Sequence, residues 1–143
     1  MQKRIKLLKN QKGMTLVELL AVLVILGIIA AIAIPMIGNM IENSQTKAAA
    51  NEALNIIAGA KLADSNGVKG TTSGDVTTFS KADLVEYVDE DNFTSVTKTV
   101  KKDTSGKVTS VEWAINGHKI NNSSNDNLKS GIESKLKDFV DRK

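Results

Sequence analysis

One carboxylate, Glu18, lies inside the most apolar stretch of the chain. Between Leu16 and Ile34 all residues except Glu18 are apolar or glycine. A charge near the middle of a bilayer costs about 2–4 kcal/mol, and such residues generally have a functional role. The sequence therefore predicts that Glu18 makes an interaction that offsets this cost.

The other residue types that support chemistry are sparse. His118 is the only histidine and the chain has no cysteine, which excludes disulfides, cysteine-linked lipids and cysteine-based metal or redox sites. We interpret His118 as a turn residue rather than a ligand or a base. No nucleophile has a matching His/Asp set, and no Gly-rich phosphate loop follows a strand. We therefore predict no enzyme activity, no catalytic residue, and no cofactor or metal.

Each of two charged clusters could be either a binding site or an ordinary solvent-exposed surface. The acidic turn at 89–92 has oxygen ligands that suit calcium but lacks the spacing of an EF-hand loop, so a solvated turn is favoured. Four lysines surround a predicted hairpin turn, and we favour a soluble charged face over a site for DNA or anionic polymers: Lys98, Lys101, Lys102 and Lys107.

The element that must position Glu18 is a long helix. Residues 14–35 give about 20 apolar positions, enough to cross a bilayer, and Pro35 is expected to end or kink this run. Gly27 and neighbouring alanines would let helices approach closely. Apolar residues at three- and four-residue steps continue over 36–63 and predict an amphipathic half of the same helix, with this apolar face: Met36, Ile37, Met40, Ile41, Ala48, Leu54, Ile57, Ala58 and Leu62.

Residues 64–143 are polar and predict a small α+β head. Trp113 is expected to pack in its core against the amphipathic half-helix. The patterns predict these elements in order: a turn at 64–67, a loop at 68–79, a capping box at 80–83 before a short helix to about Tyr87, a hairpin of 93–101 and 107–116 around a turn at 103–106, a possible short strand at 119–121, and a helix at 127–140.

The charge distribution predicts a membrane topology. Residues 1–13 contain five basic residues and no acid, so removing them changes the net charge of +3 to −2. Cytoplasmic flanks of membrane spans carry Lys and Arg, so we expect a cytoplasmic N-terminus and an external C-terminal part. A nucleic-acid partner is therefore disfavoured.

Two ordinary explanations of the N-terminus leave Glu18 without a role. A secretory signal would have the apolar run as its core and the small residues A-I-A at 31–33 as its cleavage site. A plain single-span anchor needs only the apolar length. Neither explanation requires a carboxylate at this position.

Lys12-Gly13 followed by M-T-L-V-E-L-L resembles the class III signal peptide of the type IV prepilin family, which includes pilins and pseudopilins. The resemblance implies that prepilin peptidase cuts between Gly13 and Met14 and then methylates the new amine of Met14. Glu18 falls on the family's acidic position and Pro35 on its helix-disturbing proline. Met14 replaces the more common Phe. A pilin without cysteine is most similar to those of Gram-positive bacteria, clostridia among them.

Cleavage after Gly13 would give Glu18 a cationic partner. Two charges are tolerated in an apolar environment only when they pair well. Within one chain the Met14 amine lies four residues, or about 6 Å, from Glu18 along a helix axis, so pairing inside the subunit is one alternative. We favour pairing between subunits, which would fix their axial register during addition to a filament.

The resemblance implies an α+β, type IV pilin-like fold, in which a long N-terminal helix packs against a small antiparallel sheet and a C-terminal helix follows. We expect a cleaved leader at 1–13, a membrane and filament-core helix at 14–35, an amphipathic half at 36–63 and a globular head at 64–143. The implied partners are further copies of the chain, minor pilins, prepilin peptidase, the assembly platform and the cell membrane. The alternatives are a pseudopilin of a secretion or DNA-uptake machine and a single-span surface protein that never polymerises.

Overall fold

A single long helix forms the N-terminal part of the protein. We describe a computed structural model that defines the backbone of residues 2–142 and the side chains of residues 15–142. Helix α1 extends from Gln2 to Ser65 and contains Pro35, so the helix does not end at the proline. Its end at Ser65 agrees with the predicted turn. Contacts divide the chain into one compact unit that ends at Asn43 and another that begins at Ser44.

The first unit leaves its apolar side chains uncovered. Among the described residues, one helix, α1 over Thr15–Ser65, is long and apolar enough to cross a membrane, and none of its most apolar window is buried within the chain. Every large apolar side chain from Leu16 to Ile41 is more than half exposed. An exposed apolar surface of this extent requires a lipid or protein environment.

The second unit contains a four-stranded antiparallel sheet, in which the strands lie side by side in chain order: β1 (Thr71–Ser73), β2 (Val76–Ser80), β3 (Ser95–Lys102) and β4 (Val108–Asn116). Phe79 of β2 lies beside Val96 of β3, which lies beside Ile115 of β4, and all three side chains are buried. The residues next to them along each strand are half-buried or exposed, as the pleat of a sheet with one buried face requires.

The predicted hairpin is confirmed, but the predicted loop at 68–79 is wrong. This segment contains β1 and β2, which pair with each other. The turn between them uses Gly74 with a φ of +62°, a conformation that glycine adopts without a Cβ penalty. Glycine therefore marks one tight turn here, and the threonines around it favour strands.

The face of α1 that packs on the sheet differs from the predicted face. Of the predicted set only Ile57 is fully buried, while Ala48, Ala58 and Leu62 are exposed. Alanine has a short side chain, so an alanine-rich face can pack against the sheet within one hydrophobic core. The buried face consists of Ala49, Ala50, Ala53, Ile56, Ile57, Ala60 and Ala63.

The short helix after β2 has the predicted start but a different length. Ser80 and Asp83 form a capping box, in which the Ser80 backbone N–H donates to Asp83 Oδ2 at 2.8 Å. The helix is a single 3₁₀ turn, Lys81–Leu84, rather than a helix to Tyr87. Leu84 is buried, so this turn still contributes an anchor to the core.

The C-terminal region corrects two predictions. The segment expected as a strand is a 3₁₀ turn, Lys119–Asn122. The single helix expected over 127–140 is two helices, α2 (Asp126–Lys129) and α3 (Glu133–Val140). They are separated at Gly131, where φ is +61° and the Gly131 carbonyl accepts a 3.0 Å hydrogen bond from the Ile115 N–H. Hydrogen bonding to β4 therefore interrupts the helix.

Candidate functional site

The predicted assembly residues all lie in α1. The Glu18 side chain is exposed and forms no ion pair with any described residue. No lysine or arginine occurs between Lys12 and Lys47, so a cation for Glu18 must come from the N-terminal end or from another molecule. The side chain of Met14 lies outside the described residues. Cleavage after Gly13, methylation of Met14, the register role of Glu18 and the kink at Pro35 remain predictions.

The second unit contains a polar cluster that the sequence interpretation missed, here called the Glu52 cluster: Glu52, Asn92, His118 and Lys119. Asn92 Nδ2 and Lys119 Nζ donate to the Glu52 carboxylate. His118 Nε2 lies 3.7 Å from Glu52 Oε1. Because His118 lies 66 positions from Glu52 in the chain, no local sequence signal could have revealed the contact.

His118 is a buried cap, with 1% of its surface exposed. Its Nδ1 accepts a 3.2 Å hydrogen bond from the Ile120 N–H and thereby caps the 3₁₀ turn. A neutral imidazole that accepts at Nδ1 carries its proton on Nε2, which here faces Glu52. The interpretation of His118 as a turn residue is correct, and the structure adds an electrostatic role.

The environment of the cluster favours neutral His118 and ionised Glu52. Burial lowers the pKa of His118, while the nearby Glu52 carboxylate opposes this and Lys119 reinforces it. The hydrogen bond from Lys119 lowers the pKa of Glu52, although burial opposes this effect. The charged groups that face His118 are Glu52 of α1, Lys119 of the 3₁₀ turn and Glu90 of the loop before β3.

We expect the second unit to lose stability as the pH falls below about 6.5, the ordinary pKa of histidine. The folded state holds His118 neutral because its pKa is lowered, whereas the unfolded chain binds a proton in this range, so acid favours unfolding. Thermal unfolding of the full-length chain in detergent micelles, followed by circular dichroism at pH 7.5 and 5.5, measures the effect.

His118→Asn is the matched variant for this pH dependence. Asparagine is a good capping residue that does not titrate, so the variant should lose less stability than the wild type between these two pH values. Glu52 does not affect this comparison. Because its pKa is lowered, its stabilisation is lost only when the pH falls below about 4.3. Equal losses in wild type and variant would contradict the role of His118.

Trp113 is a core residue, as predicted. It is 7% exposed and stacks on Phe79 with ring centroids 6.0 Å apart. Lys61 Nζ and Lys98 Nζ lie 5.9 and 5.6 Å from its ring centroid. Each lysine also pairs with an acid at 2.6 Å, Lys61 with Glu133 and Lys98 with Asp64. The indole is therefore enclosed by paired charges, which disfavours a surface binding role.

The lysines around the hairpin are largely neutralised. Lys98, Lys101 and Lys102 pair with Asp64, Glu112 and Asp75 at 2.6, 3.1 and 2.7 Å. This pairing leaves little net positive charge to attract a polyanion, so it favours the solvent-face interpretation.

The acidic turn is similarly engaged with the rest of the second unit. Lys81 Nζ donates to the Asp91 carbonyl at 2.8 Å, and Asn92 binds Glu52. In the part of the chain that the structure describes, no group of three or more His, Asp or Glu side chains is placed to hold a metal ion.

Comparison with known protein families identifies the N-terminal segment. Residues 8–34 match the family model of the prokaryotic N-terminal methylation motif. The matched segment includes Gly13, Met14 and Glu18 and confirms the resemblance to the class III signal peptide of type IV prepilins. Comparison with curated proteins and with solved structures gives no significant match. The likeness to clostridial pilins remains a prediction.

The matched motif indicates a precursor of the type IV pilin or pseudopilin kind. It implies processing by prepilin peptidase and assembly with other pilin subunits. Together with the uncovered apolar segment of α1, it indicates membrane anchoring before assembly.

Proposed function

We propose that this chain is a structural subunit of a type IV pilus, which polymerises through its N-terminal helix into a surface fibre. The observation that carries the proposal is the methylation motif placed on a helix whose apolar side chains the chain itself leaves exposed. A structural subunit explains both features, because such a segment needs lipid before assembly and other helices afterwards. The role of the fibre is adhesion, aggregation or motility, and no catalytic activity is proposed.

In this proposal the segment around Glu18 has two successive environments. Lipid covers residues 15–34 in the membrane before assembly, and helices of neighbouring subunits cover them in the filament. Both environments are apolar, so the transfer between them carries a small hydrophobic cost. The Met14 amine of an arriving subunit pairs with Glu18 of a subunit already in place and so fixes their axial offset.

A pseudopilin of a secretion or DNA-uptake machine is the second candidate, because the motif occurs in both classes. Such a subunit would form a short filament within the envelope instead of a long surface fibre. Electron microscopy with an antibody against the second unit separates the two, since labelled long fibres outside the cell are expected only for a pilus.

The processing of the N-terminus tests the proposal. The intact mass and N-terminal sequence of the protein recovered from cells should show a chain that begins at N-methylated Met14. A Gly13→Val variant should retain the leader and fail to assemble, because the peptidase no longer has its cleavage residue. Gly38→Ala is the matched control: it changes another glycine of α1, at a place where a Cβ meets no atom within 4 Å.

The same measurement identifies the competing classes of protein. An N-terminus at Ile34 would indicate a secreted domain released by an ordinary signal cleavage. An intact Met1 would indicate a plain single-span anchor. Either result would overturn the proposal of a prepilin.

A further inference from the structure

A small pocket lies between α2 and α3. Its volume is about 160 Å³, below the roughly 300–1,000 Å³ of pockets that hold drug-sized ligands. A cavity of this size suits one small ring. The side chains that the argument uses belong to Asn125, Asn127, Lys135, Asp138, Phe139 and Arg142.

The local fold brings these residues together. Asp138 and Phe139 lie three and four residues after Lys135 and therefore share one face of α3 with it. Arg142 lies two residues beyond the end of α3. Asn125 caps α2 by accepting from the Asn127 N–H at 3.1 Å, which leaves its amide NH₂ as a donor. Phe139 is half-buried and gives the pocket an aromatic wall.

The charged side chains of the pocket have no partner among the described residues. Lys135, Asp138 and Arg142 form no ion pair there, although most lysines of the second unit are engaged. Each engaged lysine lies within hydrogen-bonding distance of a carboxylate or a backbone carbonyl. These lysines are Lys47, Lys61, Lys81, Lys98, Lys101, Lys102, Lys119, Lys129 and Lys137. The pocket therefore combines a concave shape with ionic groups that the fold does not use.

The backbone beneath the pocket is held in place. Lys47 Nζ of α1 donates to the Arg142 carbonyl at 2.6 Å, so the chain is fixed where the guanidinium begins. Asn121 Nδ2 donates to the carbonyls of Ile115 and Lys129 at 3.1 and 3.0 Å and ties α2 to β4. A fixed backbone reduces the entropy lost when a ligand binds.

We propose that this pocket binds one carboxylated sugar ring, of the hexuronate or sialate kind. The guanidinium of Arg142 matches a carboxylate in two parallel hydrogen bonds, and Lys135 adds a second cation. Asp138 accepts from ring hydroxyls, and the amides of Asn125 and Asn127 serve as further donors and acceptors. Phe139 packs against the C–H groups of the ring.

The same residues disfavour other anions. Asp138 lies among the cations and repels a dianionic phosphate, while a ligand with one carboxylate and several hydroxyls satisfies all three charged groups. The pocket is also too small for more than one ring. This inference requires only that the second unit face the cell exterior, and binding itself does not depend on polymerisation.

The test uses the unassembled full-length chain in detergent micelles, so that a failure of filament assembly does not affect it. Isothermal titration calorimetry compares galacturonate, N-acetylneuraminate, galactose and inorganic phosphate. At least one of the two carboxylated sugars should bind about tenfold more tightly than galactose, because only it pairs with Arg142. The preferred sugar distinguishes a uronate polymer from a sialylated glycan as the natural source.

Matched variants locate the binding in the pocket. Arg142→Gln should weaken binding of the preferred sugar about tenfold through loss of the bidentate pair. Lys69→Gln removes one positive charge elsewhere in the second unit and should change the affinity less than about twofold. Circular dichroism checks that both variants fold.

Three outcomes would overturn the proposal. They are no binding of either carboxylated sugar, equal binding of phosphate or galactose, and unchanged affinity in Arg142→Gln.

Discussion

A Glu18→Ala subunit should remain in the membrane with a folded second unit and yet form few or no long filaments. In the proposed assembly, removing Glu18 leaves the Met14 amine unpaired among apolar helices. Breaking one side of a buried ion pair costs about 3–5 kcal/mol, and each 1.4 kcal/mol is a tenfold change in an equilibrium constant. Subunit addition should therefore weaken by a factor of about 10² to 4 × 10³. Counting fibres by electron microscopy and shearing them from cells for quantification measures the loss.

Glu42→Ala is the matched control for this variant. It removes an acid from the same helix but outside the apolar run, and it should leave the number of fibres nearly unchanged. Glu18→Asp keeps the charge on a shorter side chain and should assemble better than Glu18→Ala. Fibres of normal number and length from Glu18→Ala would show that Glu18 does not set the register.

Gly131→Ala should destabilise the second unit by about 3 kcal/mol, as the sum of backbone strain and overpacking. Gly131 has a φ of +61°, and a Cβ there would meet the Ile115 carbonyl oxygen and, at 2.9 Å, Asn121 Nδ2. The first contact is with backbone, and the Asn121 amide is held in place by its hydrogen bonds to the carbonyls of Ile115 and Lys129. The backbone between β4 and the C-terminal helices must therefore move apart. Thermal or urea unfolding of the full-length chain in micelles, followed by circular dichroism, measures the loss.

Gly74→Ala separates the two causes of this destabilisation. Gly74 has nearly the same φ, +62°, but a Cβ there meets nothing within 4 Å. The variant should lose only about 1–2 kcal/mol, which is the cost of a left-handed conformation with a Cβ. Equal losses in the two variants would show that the close approach of Gly131 to β4 contributes nothing.

Features that depend on neighbouring residues could be predicted from the sequence. The capping box requires only Ser80 and Asp83, three positions apart, and the hairpin turn requires only the segment 103–106. The prepilin motif is also local, because the leader, Gly13 and Glu18 lie within one short segment. The length and composition of the apolar run are also local properties, and they predict an environment of lipid or partner helices.

Predictions from local patterns failed where a segment forms hydrogen bonds with a distant part of the chain. The helix expected over 127–140 is interrupted because Ile115 of β4 hydrogen-bonds to Gly131. The segment at 68–79 was predicted as a loop from its composition, but β3 supplies a neighbour for β2. A sequence pattern that extends over only a few residues cannot predict the pairing of β2 with β3.

The sequence by itself determined the character of the first unit: an apolar run with one carboxylate, behind a basic leader and a glycine, indicates membrane anchoring and predicts a partner charge for Glu18. Tertiary structure alone decided which face of α1 is buried, where alanines pack on the sheet and larger Leu62 remains outside. It also decided that His118 meets Glu52 and that Lys135 and Arg142 line one pocket with the start of α2. The physical reason is that hydrophobicity and charge are properties of each residue, whereas burial and pairing depend on segments that only folding brings together.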